Sequence, residues 1–204
     1  VASTVAAADR ALADYAFGQL TATLYDAIWG EYCDWALELA KVRLADEAAP
    51  AAEREATWWT LVETLDTYLR LLHPVMPFVT EAIWGALPHD PADPDLLIVA
   101  RWPVAGGRDA TAEEELGALI ELVHAIRNAR AEARIEAATW LPVEVYVPAR
   151  LGPTFEALKP ALERLARARP LTRHATSEAL VDAARAGALS VIAGELEAVV
   201  VPPA

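Results

Sequence analysis

The sequence predicts a mainly α protein, a helical bundle followed by a small α+β subdomain, and three observations carry that reading. Apolar residues recur at spacings of three and four through most of the first 138 residues, the period of helices that bury one stripe. Alanine is abundant and the 204-residue chain holds only 9 glycines, while seven tryptophans supply large areas to bury. After Thr139 the apolar period changes to two, the signature of a half-buried strand. These observations divide the chain at 1–138, the bundle, and 139–204, the subdomain.

The opening helix is expected over Ser3 to Tyr15, with Gly18 as a break. From Gln19 a long helix follows, with Leu20, Leu24, Ile28, Tyr32, Trp35, Leu39 and Val42 on one stripe. Asp46-Glu47 and Pro50 mark a turn, because proline fits the first turn of the next helix. That third helix carries Trp58, Leu61, Val62, Leu65, Leu69 and Leu72 on its core side. It ends near His73, since Pro74 disfavours helical backbone in the residue before it. Pro77 opens a short helix bearing Phe78, Ile83, Trp84 and Leu87. Five turn formers, Pro88, Pro91, Pro94, Pro103 and the pair Gly106-Gly107, make a long loop. Thr111 with Glu114 reads as a capping box for a fifth helix running to about Glu136, with Leu116, Leu119, Ile120, Val123 and Ile126 inward. In the subdomain, Val143, Val145 and Val147 alternate with Glu144 and Tyr146 as a strand. A helical stretch from Pro153 to Ala168, interrupted at Pro160, follows it. Leu189 to Val201 closes the chain as a hairpin turning at Gly194.

Composition limits the function. The net charge is −13, whereas nucleic-acid binding ordinarily needs a basic surface. The charge is uneven: residues 127–173 hold 9 basic against 5 acidic residues, a local +4. Screening hides distant acidic faces beyond about 8–10 Å, so a local basic contact remains open. Nothing in the chain approaches a membrane span, and no basic-then-apolar leader opens it. The single cysteine, Cys33, excludes an intrachain disulfide and reads as a small buried hydrophobe.

No catalytic constellation is visible. His73, His89, His124 and His174 have no metal-ligand partners at short spacing, and His73 reads as a helix-end cap. Gly106-Gly107 is a turn pair and not a phosphate loop. Arg127, Arg130 and Arg134 recur at i, i+3 and i+7 and are placed on one face of the fifth helix. Such a row either grips successive phosphates or pairs with Glu132, Glu136 and neighbouring helices. Arg164, Arg167, Arg169 and Arg173 read as a solvated helix face. Lys41 and Arg43 end the second helix, where cations favour the dipole without any ligand. Of the tryptophans, Trp35, Trp58 and Trp84 are placed in the core, and Trp59 and Trp102 are the candidates for exposed stacking.

Two strings carry a family resemblance: Tyr32-Cys33-Asp34-Trp35-Ala36-Leu37-Glu38-Leu39-Ala40-Lys41, and Leu72-His73-Pro74-Val75-Met76-Pro77-Phe78-Val79-Thr80-Glu81-Ala82-Ile83-Trp84. With Arg101-Trp102-Pro103 and Ile126-Arg127-Asn128-Ala129-Arg130-Ala131-Glu132, they resemble the anticodon-binding region of class I valyl-tRNA synthetases. The isoleucyl and leucyl enzymes share the architecture and the second string, but usually lack the Cys33-Asp34-Trp35 element. The resemblance implies a helical bundle of the class I synthetase anticodon-binding type. It also implies that tRNA(Val) is the partner, alongside the catalytic domain of the same polypeptide, in the cytoplasm, with no role at a membrane or on DNA. Arg127, Arg130, Arg134, Lys41 and Arg43 are the tRNA-binding candidates. The nucleotide-handling strings of the class are absent, so this chain itself is expected to hold no cofactor, with ATP and magnesium used elsewhere in the full ligase. Family members begin with a further helix and end in a coiled-coil arm, and they often carry Arg where Ala16 stands here. A stand-alone helical module that binds protein, descended from such a domain, is the rival reading and suits the acidic balance.

Overall fold

The computed structural model describes residues 1–90, 92–180 and 188–202, and Pro91 of the expected loop lies outside them. The chain divides into two compact units, Val1–Arg108 and Asp109–Ala204.

The first unit is helical. Helix α1 (Ala2–Ala13) is followed by Tyr15, in left-handed backbone at φ 53°, which reverses the chain into α2 (Phe17–Tyr25). The long helix expected from Gln19 is present but is not uniformly α. Between α2 and α3 (Leu37–Leu44) the winding is that of a π-helix over Asp26–Ala36. Bonding from i to i+5 widens the turn, so the inward face drifts relative to a spacing of three and four. Ala27 and Tyr32 are buried, as are Trp35 and Ala40, whereas Ile28 and Leu39 of the expected stripe are only half-buried.

Helix α4 (Ala51–Leu72) packs Val62, Tyr68, Leu69 and Leu71 inward. The core of the unit gathers Val5, Ala8, Leu20, Leu24, Ala27, Tyr32, Tyr68 and Leu71. Tyr32 and Tyr68 meet edge to face at 6.0 Å, and the Tyr32 hydroxyl donates to the Leu61 carbonyl at 3.0 Å. Burial pushes both phenols above their usual pKa. Trp58, expected in the core, is 52% exposed. It lies in the N-terminal half of α4, where Val62 is the first buried residue.

Pro77 opens α5 (Pro77–Trp84) as expected, with proline at the helix start where no N–H is needed. Only Thr80 and Trp84 of α5 are buried, and Phe78 is 91% exposed. The loop beyond carries one 3-10 turn, Leu97–Val99, and Leu97 joins Leu69 and Trp84 in a second small core.

The second unit begins with α6 (Ala110–Glu132). Its N-cap is Asp109, whose carboxylate accepts from the Ala112 N–H at 3.0 Å, so the helix starts just ahead of the expected Thr111 cap. This helix, grouped with the bundle from sequence, packs against the subdomain, touching α7, β3 and β4. Leu119, Leu122, Val123 and Ile126 supply that face, and a sheet this small needs a helix to cover it.

The unit's sheet is four-stranded, in the order β2-β1-β4-β3. Strand β1 (Leu141–Tyr146) buries Leu141, Val143 and Val145 on one face, following the alternation in the sequence. Helix α7 (Gly152–Ala166) runs unbroken through Pro160 and returns the chain to β2 (Ala168–His174), which lies parallel to β1. The hairpin of β3 (Leu189–Ala193) and β4 (Leu196–Val200) turns at Gly194, whose φ of 58° suits glycine. Strand β2 was not legible in the sequence. Consequently Arg169 and Arg173 stand on a strand and Arg167 closes α7, instead of sharing one helix face with Arg164.

Candidate nucleic-acid interface

The residues of the second family string build a corner and not a ligand site. The Thr80 hydroxyl donates to the Met76 carbonyl at 2.8 Å, so its oxygen accepts from His73 Nδ1 at 2.9 Å. His73 therefore ties α4 to α5 through its side chain, beyond the cap expected of it. The Glu81 carboxylate accepts from the Leu97 N–H at 2.9 Å and the Ile98 N–H at 3.3 Å, pinning the loop that follows. Trp84 donates its indole N–H to Asp66 at 2.7 Å. Asp66 also receives Arg70 at 2.8 Å, and Arg70 reaches Asp93 at 2.9 Å. Burial works against the Arg70 charge, but the two aspartates outweigh it and raise its pKa.

Among the predicted contacts of the first unit, Lys41 and Arg43 are both exposed at the C-terminal end of α3. The Lys41 ammonium pairs with the Glu38 carboxylate one turn earlier. Such an exposed pair contributes at most about 1 kcal/mol, so it leaves the ammonium open to a stronger anion. Trp29 and Tyr25 are exposed beside an apolar groove of about 190 Å³, which Leu24, Ile28, Leu72 and Met76 help to line. Trp59 and Trp102 are both exposed as expected, and the Trp102 indole also donates to Asp9 at 2.7 Å.

The arginine row of α6 does not survive as a row. Arg130 is 4% exposed and its guanidinium donates to four backbone carbonyls. These are Ala166 at 3.3 Å and Arg167 at 2.9 Å at the C-terminal end of α7, and Glu136 at 3.3 Å and Thr139 at 2.6 Å in the loop before β1. It is a structural bolt that no phosphate can reach. Burial, and then the nearby Arg167 charge, depress its pKa. Arg134 leaves the face because α6 ends at Glu132 and Arg134 itself turns left-handed at φ 55°. A residue beyond the helix end cannot continue the i, i+7 stripe. Arg127 is exposed and donates through Nε to the Leu165 carbonyl at 2.8 Å.

A grouping that the sequence did not reveal lies at the same end of α7. The guanidinium carbons of Arg167 and Arg169 sit 5.2 and 4.6 Å from the centre of the Trp140 ring. Both residues and the tryptophan were individually noticeable, but only β2 brings them together. Among the described residues no cluster of three or more His, Cys, Asp or Glu could hold a metal ion, and no helix is long and apolar enough to cross a membrane.

A helical unit with exposed cations and aromatics, followed by a small helix-covered sheet, is the architecture that the sequence strings pointed to. The chain belongs to the family described as anticodon-binding domain of tRNA ligase, which matches residues 1–145. Its relatives include the valine–tRNA ligase of Dehalococcoides mccartyi strain CBDB1, 39% identical over 168 residues, which covers 79% of this chain and 18% of that protein. The valine–tRNA ligase of Caulobacter vibrioides is 41% identical over 204 residues, covering 94% of this chain and 21% of that protein. That of Thermosynechococcus vestitus is 40% identical over 160 residues, covering 78% and 17%. The chain thus spans about a fifth of the length of the curated relatives it matches.

Proposed function

We propose that this chain is the anticodon-binding part of a valine–tRNA ligase, holding the anticodon arm of tRNA(Val) while the remainder of the ligase activates valine. The observation that carries the reading is the 41% identity running over 204 residues to a valine–tRNA ligase, on top of the family match at residues 1–145. The geometry supports it in the first unit. The corner of His73, Thr80, Glu81 and Trp84 rigidifies α4 and α5 through polar bonds that are cheap to form and costly to break once buried. Against that scaffold Lys41 and Arg43 remain exposed for phosphates, and Tyr25 and Trp29 for unpaired bases. In this reading ATP and magnesium act in the catalytic domain of the same polypeptide, in the cytoplasm.

The acidic balance of the chain is compatible with this role, because the ligase need only touch tRNA locally and screening removes distant repulsion. The source gene tests the reading. An open reading frame that carries class I nucleotide-binding motifs upstream of Val1 is the expected result. A frame without them would sink the ligase assignment in favour of a free-standing interaction module.

A further inference from the structure

We propose that Trp140, Arg167 and Arg169 form a second, sequence-independent contact, which takes the phosphodiester backbone of RNA away from the anticodon. The proposal rests on the reading that the chain binds tRNA.

The argument begins with charge. In a chain of net −13, residues 127–173 carry +4, and the fold concentrates part of that excess at the C-terminal end of α7. Arg130 is buried there with only carbonyl oxygens as hydrogen-bond partners, so its charge is solvated by dipoles and not cancelled by a carboxylate. Arg167 lies close enough to depress the Arg130 pKa, which means that the two cations repel each other in the folded protein. Holding cations together against repulsion favours an anion that relieves it.

Backbone and side-chain geometry point the same way. Arg167 closes α7 in left-handed backbone at φ 51°, a position where glycine is the usual solution and a side chain is disfavoured. The chain carries an arginine there nonetheless, and that arginine lies over the Trp140 ring. A guanidinium held against an indole by cation–π attraction spends none of its N–H groups, so its planar edge stays available for a forked bond to phosphate. Among the described residues the carboxylates facing the group are few. Glu163 meets Arg169 through Nε at 3.4 Å, leaving the outer end of that guanidinium, and Glu156 lies 3.9 Å from Arg173. With both guanidiniums within 5.2 Å of the indole centre, forked bonds to phosphate are the chemistry that the group offers.

The test is a fluorescence-anisotropy titration of the whole chain with a tRNA(Val) transcript, at salt from about 50 to 200 mM, for the parent and for Arg167→Gly/Arg169→Gln. The slope of log K against log salt should fall by roughly 0.7–0.9 for each arginine removed. The melting temperature should hold, and Arg169→Lys, which keeps the charge, should keep the parent slope. If the double variant melts early, Arg169→Gln alone, at an exposed position, carries the same test. A parallel transcript with a substituted anticodon separates this proposal from the reading beneath it. An unchanged slope in the arginine variants overturns the second contact and leaves anticodon binding standing. A slope difference that persists without any anticodon preference overturns the anticodon reading alone. No RNA binding at low salt overturns both. Displacement of the RNA by polyglutamate at matched charge, dependent on the same two arginines, would overturn RNA as the ligand in favour of an acidic polypeptide.

Discussion

Replacing Arg130 with alanine should cost the second unit several kcal/mol, and the structure allows the magnitude to be worked. The guanidinium serves four carbonyls. Two of them keep a backbone donor after its removal: Arg167 accepts from Leu141 at 3.1 Å and Glu136 from Thr139 at 3.0 Å. The carbonyls of Ala166 and Thr139 lose the arginine bond without such a substitute in the surrounding loops. At about 1–3 kcal/mol for each buried acceptor stranded, the loss is roughly 2–6 kcal/mol. The desolvation of a charge with no carboxylate partner is recovered by the mutation, which argues for the lower half of that range. A single domain of this size shifts by about 4–8 °C per kcal/mol, so a loss in that lower half should drop the unit's transition by roughly 8–32 °C. Differential scanning calorimetry of the parent chain and of Arg130→Ala reads it directly. Arg130→Lys should recover little, because one ammonium cannot span four carbonyls on two segments. An Arg130→Ala transition within about 2 °C of the parent, coupled to weaker RNA binding, would refute the argument and return Arg130 to the surface role expected from its spacing.

Other consequences are as direct. Trp84→Phe keeps the ring but loses the indole donor to Asp66, and should destabilise the first unit by about 1–3 kcal/mol in a urea melt. Thr80→Val removes the hydroxyl between His73 and the Met76 carbonyl at nearly constant volume, and the same melt should register about 1–3 kcal/mol. Trp58→Ala should change stability by no more than about 0.5 kcal/mol, whereas Trp35→Ala, at a buried position, should cost about 3–5 kcal/mol. Comparable losses in the two tryptophan variants would contradict the exposure of Trp58.

The helices were legible because their signals are local. Pro50, Pro74 and Pro77 fix helix ends through one residue's backbone, and the alternation of Val143, Val145 and Val147 encodes β1 within a single segment. What was hidden depends on partners distant in sequence. Strand β2 is polar, with Arg169 and Arg173 on it, and becomes a strand by pairing in parallel with β1 across the α7 crossover. Nothing in its own composition announces that. The π winding of Asp26–Ala36 leaves the apolar residues dense enough to satisfy a spacing of three and four, so the widened turn is silent in the sequence. The α6 arginines show the limit of periodicity most clearly. Spacing placed Arg127, Arg130 and Arg134 together, but only the positions of α7 and the loop before β1 decide that Arg130 turns inward, and only the helix end decides that Arg134 leaves the face. The packing of α6 on the small sheet was hidden similarly, since an amphipathic stripe does not state which partner covers it. The family strings fared better, because His73 bonds to Thr80 within a short stretch, Glu81 holds the loop just beyond it and Trp84 reaches back to Asp66 of α4.

Anticodon recognition by the first unit can be read from one competition experiment. A labelled tRNA(Val) transcript bound to the chain is displaced by unlabelled tRNA(Val), or by the same transcript with only its anticodon bases replaced. If the first unit reads unpaired anticodon bases by hydrogen bonds to their edges, the substituted competitor should be weaker by at least about tenfold, since each such readout discriminates against a wrong base by about 1–3 kcal/mol. Equal competition by the two transcripts would contradict the account.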